Sequence, residues 1–366
     1  MITNDQAKTK RIAILIEQHV EDSEFHVPCT ALRKAGADVV VLGSRLNEEY
    51  KGKQGKVSVK PDMTTTEARV EEFDAVIIPG GAAPDKMRVN PNTVRFVQDA
   101  LQQGKLVAAV CHGPQVLIEG DLLRGKDATG FIAVRKDMQN AGANYIDQPL
   151  VVDGNLITSR RPGDLPIFTT AILARLGLNI PDTTLPQETD QNAGWWKLGE
   201  EWGGSSKREI VDGINTAIAG ERFAIEAFEH YADRTTDAEL RSVFREICAN
   251  KRQHIQKLES RLDVLGEKES FQAAASGTYA AFKNWLQPTD ADVTMLRRAL
   301  GDLQTGVVDT FNLRNKFTDP TTTQLFDEME IDLSQQERRV VELYHARIGA
   351  QPADPAQPTT GAAVGG

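Results

Sequence analysis

The chain has 366 residues, 40% of them hydrophobic and 26% charged, a mix that excludes wholesale disorder at a length that one core rarely fills, so two domains are expected. A formal net charge of -10 with no dense basic run excludes a nucleic-acid partner, whose phosphates would be held by clusters of Lys and Arg. Three cysteines (Cys29, Cys111 and Cys248) cannot build a disulfide framework and leave one thiol unpaired, which points to a reducing, cytoplasmic location.

The first elements follow a Lys8, Lys10, Arg11 cluster. The apolar run at 12–16 stops at Glu17, too short for a signal-peptide core, and no stretch approaches the ~20 apolar residues that span a bilayer. No membrane partner is therefore expected. Short β-branched runs at 12–16, 38–42, 75–79 and 106–110 alternate with amphipathic segments at 25–35 and 91–103. This is the signature of parallel strands joined by crossover helices, and the continuous apolar character of the strands fits burial on both faces. The expected fold is α/β, a doubly wound, flavodoxin-like parallel sheet over residues 1–180.

Residues 181–207 lose that pattern and carry Trp195, Trp196 and Trp202. They read as a linker, docked because three tryptophans are costly to expose. From 208 to 349 the periodicity becomes helical through Ile210, Ile214, Ile218 and Phe228, then Leu240, Phe244, Ile247 and Leu258, then Leu296, Leu300 and Leu303, then Met329, Leu333 and Val340. Four long helices imply an all-α four-helix bundle, with a short amphipathic segment at 271–286 capping it. The tail at 350–366, rich in Pro, Ala, Gly and Thr, is expected to be disordered.

The residues with the clearest chemistry lie in the α/β half. The strand Val107-Ala108-Ala109-Val110 runs straight into Cys111-His112-Gly113-Pro114 and a helix beginning near Gln115. A cysteine on such an elbow is held in a tight conformation at the positive end of a helix dipole, which favours its nucleophilic thiolate form. Backbone N–H groups of His112 and of Gly81, in the Pro79-Gly80-Gly81 turn, can converge on an oxyanion above the sulfur. Cys29 and Cys248, without that context, read as inert buried positions.

These segments resemble the PfpI superfamily, which includes intracellular proteases, glyoxalase III-type lyases and glycation-repair deglycases on a glutamine-amidotransferase-like fold. The resemblance runs from about residue 10 to 178 and rests on Val20-Glu21-Asp22-Ser23-Glu24, Pro79-Gly80-Gly81-Ala82-Ala83-Pro84-Asp85, Ala109-Val110-Cys111-His112-Gly113-Pro114-Gln115 and Ser159-Arg160-Arg161-Pro162-Gly163-Asp164-Leu165. It implies a Glu21–Cys111 pair sharing a proton, whereas the residues alone also allow Glu21, Asp22 and Glu24 to be an acidic helix start. Protease-like members add a glutamate from a neighbouring subunit after the Gly-Gly turn; here that position is Asp85, one methylene shorter. The resemblance also implies a homo-oligomer, no cofactor, and a small carbonyl or a glycated protein or peptide as substrate. A peptidase, or a redox sensor or chaperone using Cys111, are the other readings.

The second half resembles ferritin-like bundles, which often hold two metal ions between carboxylates and histidines. The residues argue against a metal here. Glu221 falls on the apolar stripe of the first helix, but the second offers Lys251-x-x-His254, the third Gln304 and the fourth Asp332-x-x-Gln335. A lysine in that set would repel a divalent cation and pair with Glu221 instead. A structural or assembly role is the expectation for the bundle.

Overall fold

A computed structural model describes residues 9–190, 193–270 and 291–350. The expected segment at 271–286 and the tail beyond Ala350 lie outside the described residues. The chain divides into two compact units, Met1–Asp212 with Asn312–Leu325, and Gly213–Phe311 with Phe326–Gly366.

The first unit is built on a seven-stranded sheet, with strands β1 (Arg11–Leu15), β2 (Asp38–Gly43), β3 (Met63–Thr64), β4 (Ala75–Ile78), β5 (Leu106–Val110), β6 (Leu150–Asp153) and β7 (Leu156–Ser159). Their spatial order is β6-β7-β5-β4-β1-β2-β3, parallel throughout except for the antiparallel β6–β7 pair. Ile12 pairs with Val39 on one side and Ala75 on the other, and Ile78 with Ala109. Ile12, Ile14, Val76, Ile77, Val107 and Ala109 are wholly buried. Strands buried on both faces have no solvent side to encode, which is why these runs do not alternate.

Helices α1 (Asp22–Lys34), α2 (Ala83–Met87), α3 (Pro91–Gln102), α4 (Pro114–Glu119), α5 (Arg135–Asn140) and α6 (Leu165–Leu176) connect the strands. Local chemistry sets several of their ends. Asn90 caps α3 by accepting the Asn92 N–H at 3.0 Å ahead of Pro91, a first-turn proline losing no helical hydrogen bond. Gly177 ends α6 in the left-handed conformation.

The tryptophan segment is no free linker. It contains α7 (Trp195–Glu201), and Trp195 and Trp202 are buried in the hydrophobic core of this unit. The connection at 312–325 also belongs here, tied by the Ser205 N–H to Thr318 Oγ1 at 2.7 Å and the Thr318 N–H to Ser205 Oγ at 3.1 Å.

The second unit takes its core from α8 (Lys207–Arg234), α9 (Ala238–Val264), α10 (Asp292–Arg314) and α11 (Pro320–Ala350). Phe228, Leu240, Phe244, Leu296, Leu303, Leu333 and Val340, side chains whose spacing announced the helices, form one hydrophobic cluster with Tyr231. Among the described residues no helix is long and apolar enough to cross a membrane.

Candidate active site

Ligand sites in parallel α/β sheets lie at the carboxyl ends of the strands, and there β4 and β5 deliver the Gly80-Gly81 turn and Cys111. Cys111 has φ 60°, a left-handed conformation that costs a non-glycine residue and persists only when its surroundings hold it. Here its N–H donates to the Ser159 carbonyl at 3.0 Å, and its own carbonyl accepts the Phe131 N–H at 2.9 Å. The elbow is thus clamped from β7 and from the segment before α5.

The turn after β4 must be glycine. Gly81 has φ 74°, and a Cβ there would lie 2.4 Å from the Glu21 nitrogen. A Cβ on Gly80 would lie 2.6 Å from a Glu24 carboxylate oxygen and 2.9 Å from Cys111 Cβ. Without side chains, this turn brings its N–H groups up to the cysteine: Gly81 N–H lies where it lowers the Cys111 pKa, and Gly80 N–H donates to Glu24 Oε2 at 2.7 Å.

The acid beside the sulfur is Glu24, where the motif resemblance implied Glu21. Glu24 is wholly buried and its carboxyl lies beside Cys111, close enough that each group moves the other's pKa. Its Oε1 is buried without a hydrogen-bond partner among the described residues. Glu21 precedes the helix in an extended conformation, and its backbone N–H is what approaches the turn, donating to the Gly80 carbonyl at 3.3 Å. Its side chain, itself buried, accepts from Gln54 Nε2 at 3.1 Å with Lys53 Nζ at 3.8 Å. Glu24, within the first turn of α1, has the inward direction that a helical Cα–Cβ bond gives it toward the N-terminus. Between them in the chain, Asp22 turns to a neighbouring loop, where it accepts the Gln54 and Val57 N–H groups, both at 2.7 Å, and so fixes the segment that carries Lys53 and Gln54.

Electrostatics separates these groups. Burial, reinforced by the Glu21 charge, pushes the Glu24 carboxyl up to about 8, so it is protonated at neutral pH. Burial also pushes the Cys111 thiol up, with the Glu24 and Glu21 carboxylates adding to the rise and Gly81 N–H opposing it. The simple expectation of a low-pKa thiol is therefore corrected: the helix start and elbow do not outweigh burial next to two acids. The two groups titrate as a pair, and a neutral Glu24 reverses its own influence by becoming a donor to the thiolate.

His112 packs against Phe131 with ring centroids 5.2 Å apart. Burial holds its imidazole below the usual histidine range, with Asp85 opposing and Lys53 assisting. Asp85 itself is 2.8 Å from Arg88 and accepts from Gln115 Nε2 at 3.3 Å. Cys29 and Cys248 are buried and unpaired, and burial raises both thiols, Cys248 to about 11.

The bundle interior has a second polar cluster. Lys251 Nζ lies 3.3 Å from Glu221 Oε2, His254 Nδ1 lies 3.6 Å from the same oxygen, and His254 Nε2 meets Asp332 Oδ2 at 3.0 Å. Among the described residues no group of three or more His, Cys, Asp or Glu is placed to hold a metal ion. With an ammonium against its most buried carboxylate, this set does not fit the di-metal centre of ferritin-like bundles.

A cysteine elbow on a flavodoxin-like sheet, with a buried carboxyl against its sulfur and two glycine amides beside it, defines a cysteine-centred α/β protein carrying a helical second unit. Comparison narrows the class, because residues 10–175 match the DJ-1/PfpI family and the chain belongs to that family. Residues 209–300 match a domain of unknown function, DUF2383. Protein/nucleic acid deglycase 2 of Escherichia coli is 44% identical over 170 residues, covering 46% of this chain and 99% of the relative. YraA of Bacillus subtilis, provisionally named a cysteine protease, is 44% identical over 160 residues, covering 44% of this chain and 94% of the relative. Both stop short of the second unit. A crystal structure of a two-domain protein with DJ-1/ThiJ/PfpI-like and ferritin-like domains from Anabaena variabilis is 58% identical, covers 97% of this chain and 100% of that one, and superposes with a TM-score of 0.87.

Proposed function

We propose that the protein is a cysteine-dependent enzyme that converts reactive carbonyls, 2-oxoaldehydes or their adducts with amines and thiols, into hydroxy acids. The observation that carries this reading is the wholly buried Glu24 carboxyl beside Cys111, with Gly80 packed against both. A neutral buried acid can stabilise a thiolate as donor and then relay its proton to substrate.

In the proposed cycle the sulfur adds to the aldehyde carbon, and the oxygen takes up negative charge facing the Gly81 and His112 amides. The proton on that carbon is transferred to the neighbouring carbon through Glu24 or the neutral His112 imidazole, giving a thioester of the 2-hydroxy acid. Water cleaves the thioester and restores the thiol. The net change is addition of one water, so no external oxidant or reductant is consumed. In a glycated amine the carbinolamine C–N bond breaks first, the hydroxyl proton passing to the departing amine as the aldehyde re-forms, and the aldehyde then follows the same steps to the acid.

The name of the Escherichia coli relative agrees with this class of substrate. A peptidase would need Asp85 of a neighbouring subunit to orient His112, with a side chain one methylene shorter than the glutamate of protease-like members. The test is methylglyoxal consumption and lactate formation by the wild type and Cys111→Ala, run beside a peptide substrate. Lactate formation that requires Cys111 supports the reading; peptide cleavage without it, or selective oxidation of Cys111 by dilute peroxide with no turnover of either substrate, contradicts it.

A further inference from the structure

The polar interior of the bundle is unused by the chemistry above, and its composition is unusual. Ionisable groups reach it from all four helices: Glu221 from α8, Lys251 and His254 one turn apart on α9, Asp302 from α10 and Asp332 from α11. Glu221, Lys251 and His254 are each less than a tenth exposed. Asp302 accepts the Tyr231 hydroxyl at 3.1 Å and feels the Lys251 charge. Three carboxylates and an imidazole, one from each helix, are the donor types that a hard or borderline divalent cation takes in a four-helix bundle. What stands among them is an ammonium.

We propose that Lys251 is a tethered substitute for a metal ion: its ammonium supplies, from within the chain, the positive charge that a ferritin-like bundle otherwise obtains from bound cations. The charges arrange themselves accordingly. Lys251 neutralises Glu221, whose carboxyl is held below the usual range by that ammonium and by His254. His254 lies between two carboxylates, which raise its imidazole above the usual histidine range. The row Lys251, Glu221, His254, Asp332 alternates in sign and is neutral in sum when His254 is protonated. A divalent ion at the same point would meet the ammonium at contact distance and would need His254 to release its proton. The bundle is thereby made independent of metal supply.

The full-length chain tests this with manganese(II), which prefers oxygen ligands to the thiols of the other unit. Wild type is expected to bind no manganese by electron paramagnetic resonance and to melt at the same temperature in chelator and in manganese. Lys251→Ala leaves buried carboxylates without their cation and should melt roughly 10 °C lower in chelator. Removing the orphaned carboxylate as well, in Lys251→Ala/Glu221→Gln, should recover much of that loss. Should Lys251→Ala fail to fold, folding restored by the second substitution or by ethylamine supplied in solution counts for the proposal, and failure to fold with either counts against it. Wild type that retains metal through Glu221, or Lys251→Ala that is as stable as wild type, would overturn it.

Discussion

Each unit of this protein buries a glutamate, and the two have opposite fates. Glu24 has no cation in contact: its neighbours are a thiol and a backbone N–H, and its carboxyl is pushed up to about 8. Glu221 is almost as buried, but Lys251 and His254 face it and hold it ionised. Burial sets the stake in both cases, and the partner decides the protonation state. The neutral acid is able to donate and receive protons. The ionised one is committed to holding helices together.

The largest expected effect tests whether the Glu24 side of this contrast is catalytic at all. Cys111→Ala should reduce turnover of methylglyoxal to background while leaving the circular dichroism spectrum unchanged. Next, Glu24→Gln keeps the shape and the bond from the Gly80 N–H but removes the transferable proton, and should lower kcat/KM by about 10²–10⁴-fold. Glu21→Gln, which removes a neighbouring charge and the Lys53 ion pair but leaves Glu24 in place, should cost less than about tenfold by the same assay.

The pH dependence of stability sharpens the comparison further. Glu24 binds its proton more tightly folded than unfolded, so its contribution is full below the unfolded value of 4.5 and is lost as pH rises toward about 8. Denaturant unfolding of the first unit should therefore show stability falling across that window, and Glu24→Gln should flatten the fall. Glu221 has the reverse sign, because its folded value is depressed; its contribution is present above 4.5 and is lost on acidification below it. The smallest effect is expected at Asp85, where Asp85→Asn should leave carbonyl turnover within about twofold, since its hydrogen bonds hold Arg88 and Gln115 rather than the reacting groups.

Much of this is legible in the residues. The strands at 12–16, 75–79 and 106–110 announce themselves as unbroken apolar runs, and the elbow follows from a strand meeting Cys-His-Gly-Pro. The four helices are readable because a two-sided pattern repeats over many turns, and Lys251 opposite Glu221 can be placed from their helical positions alone. The acid partner of Cys111 cannot. Glu21, Asp22 and Glu24 are chemically alike in sequence, and which one turns inward depends on where α1 begins: one residue precedes the helix, one pins the loop at 54–57 and one reaches the sulfur. Lys53 and Gln54 escape a reading of the sequence for a related reason, because nothing local marks a loop that another element's side chain holds in place. Nor does the chain order reveal that residues 312–325, lying between two helices of the bundle, belong to the first unit.

The most direct measurement is the rate of Cys111 alkylation by iodoacetamide from about pH 5 to about pH 10 in wild type, Glu21→Gln and Glu24→Gln. If Glu24 shares its proton with the sulfur, Glu24→Gln displaces the profile most, while Glu21→Gln, which removes only a neighbouring charge, moves it less and toward lower pH. Overlay of Glu24→Gln with the wild type, or a larger displacement by Glu21→Gln, would contradict the assignment.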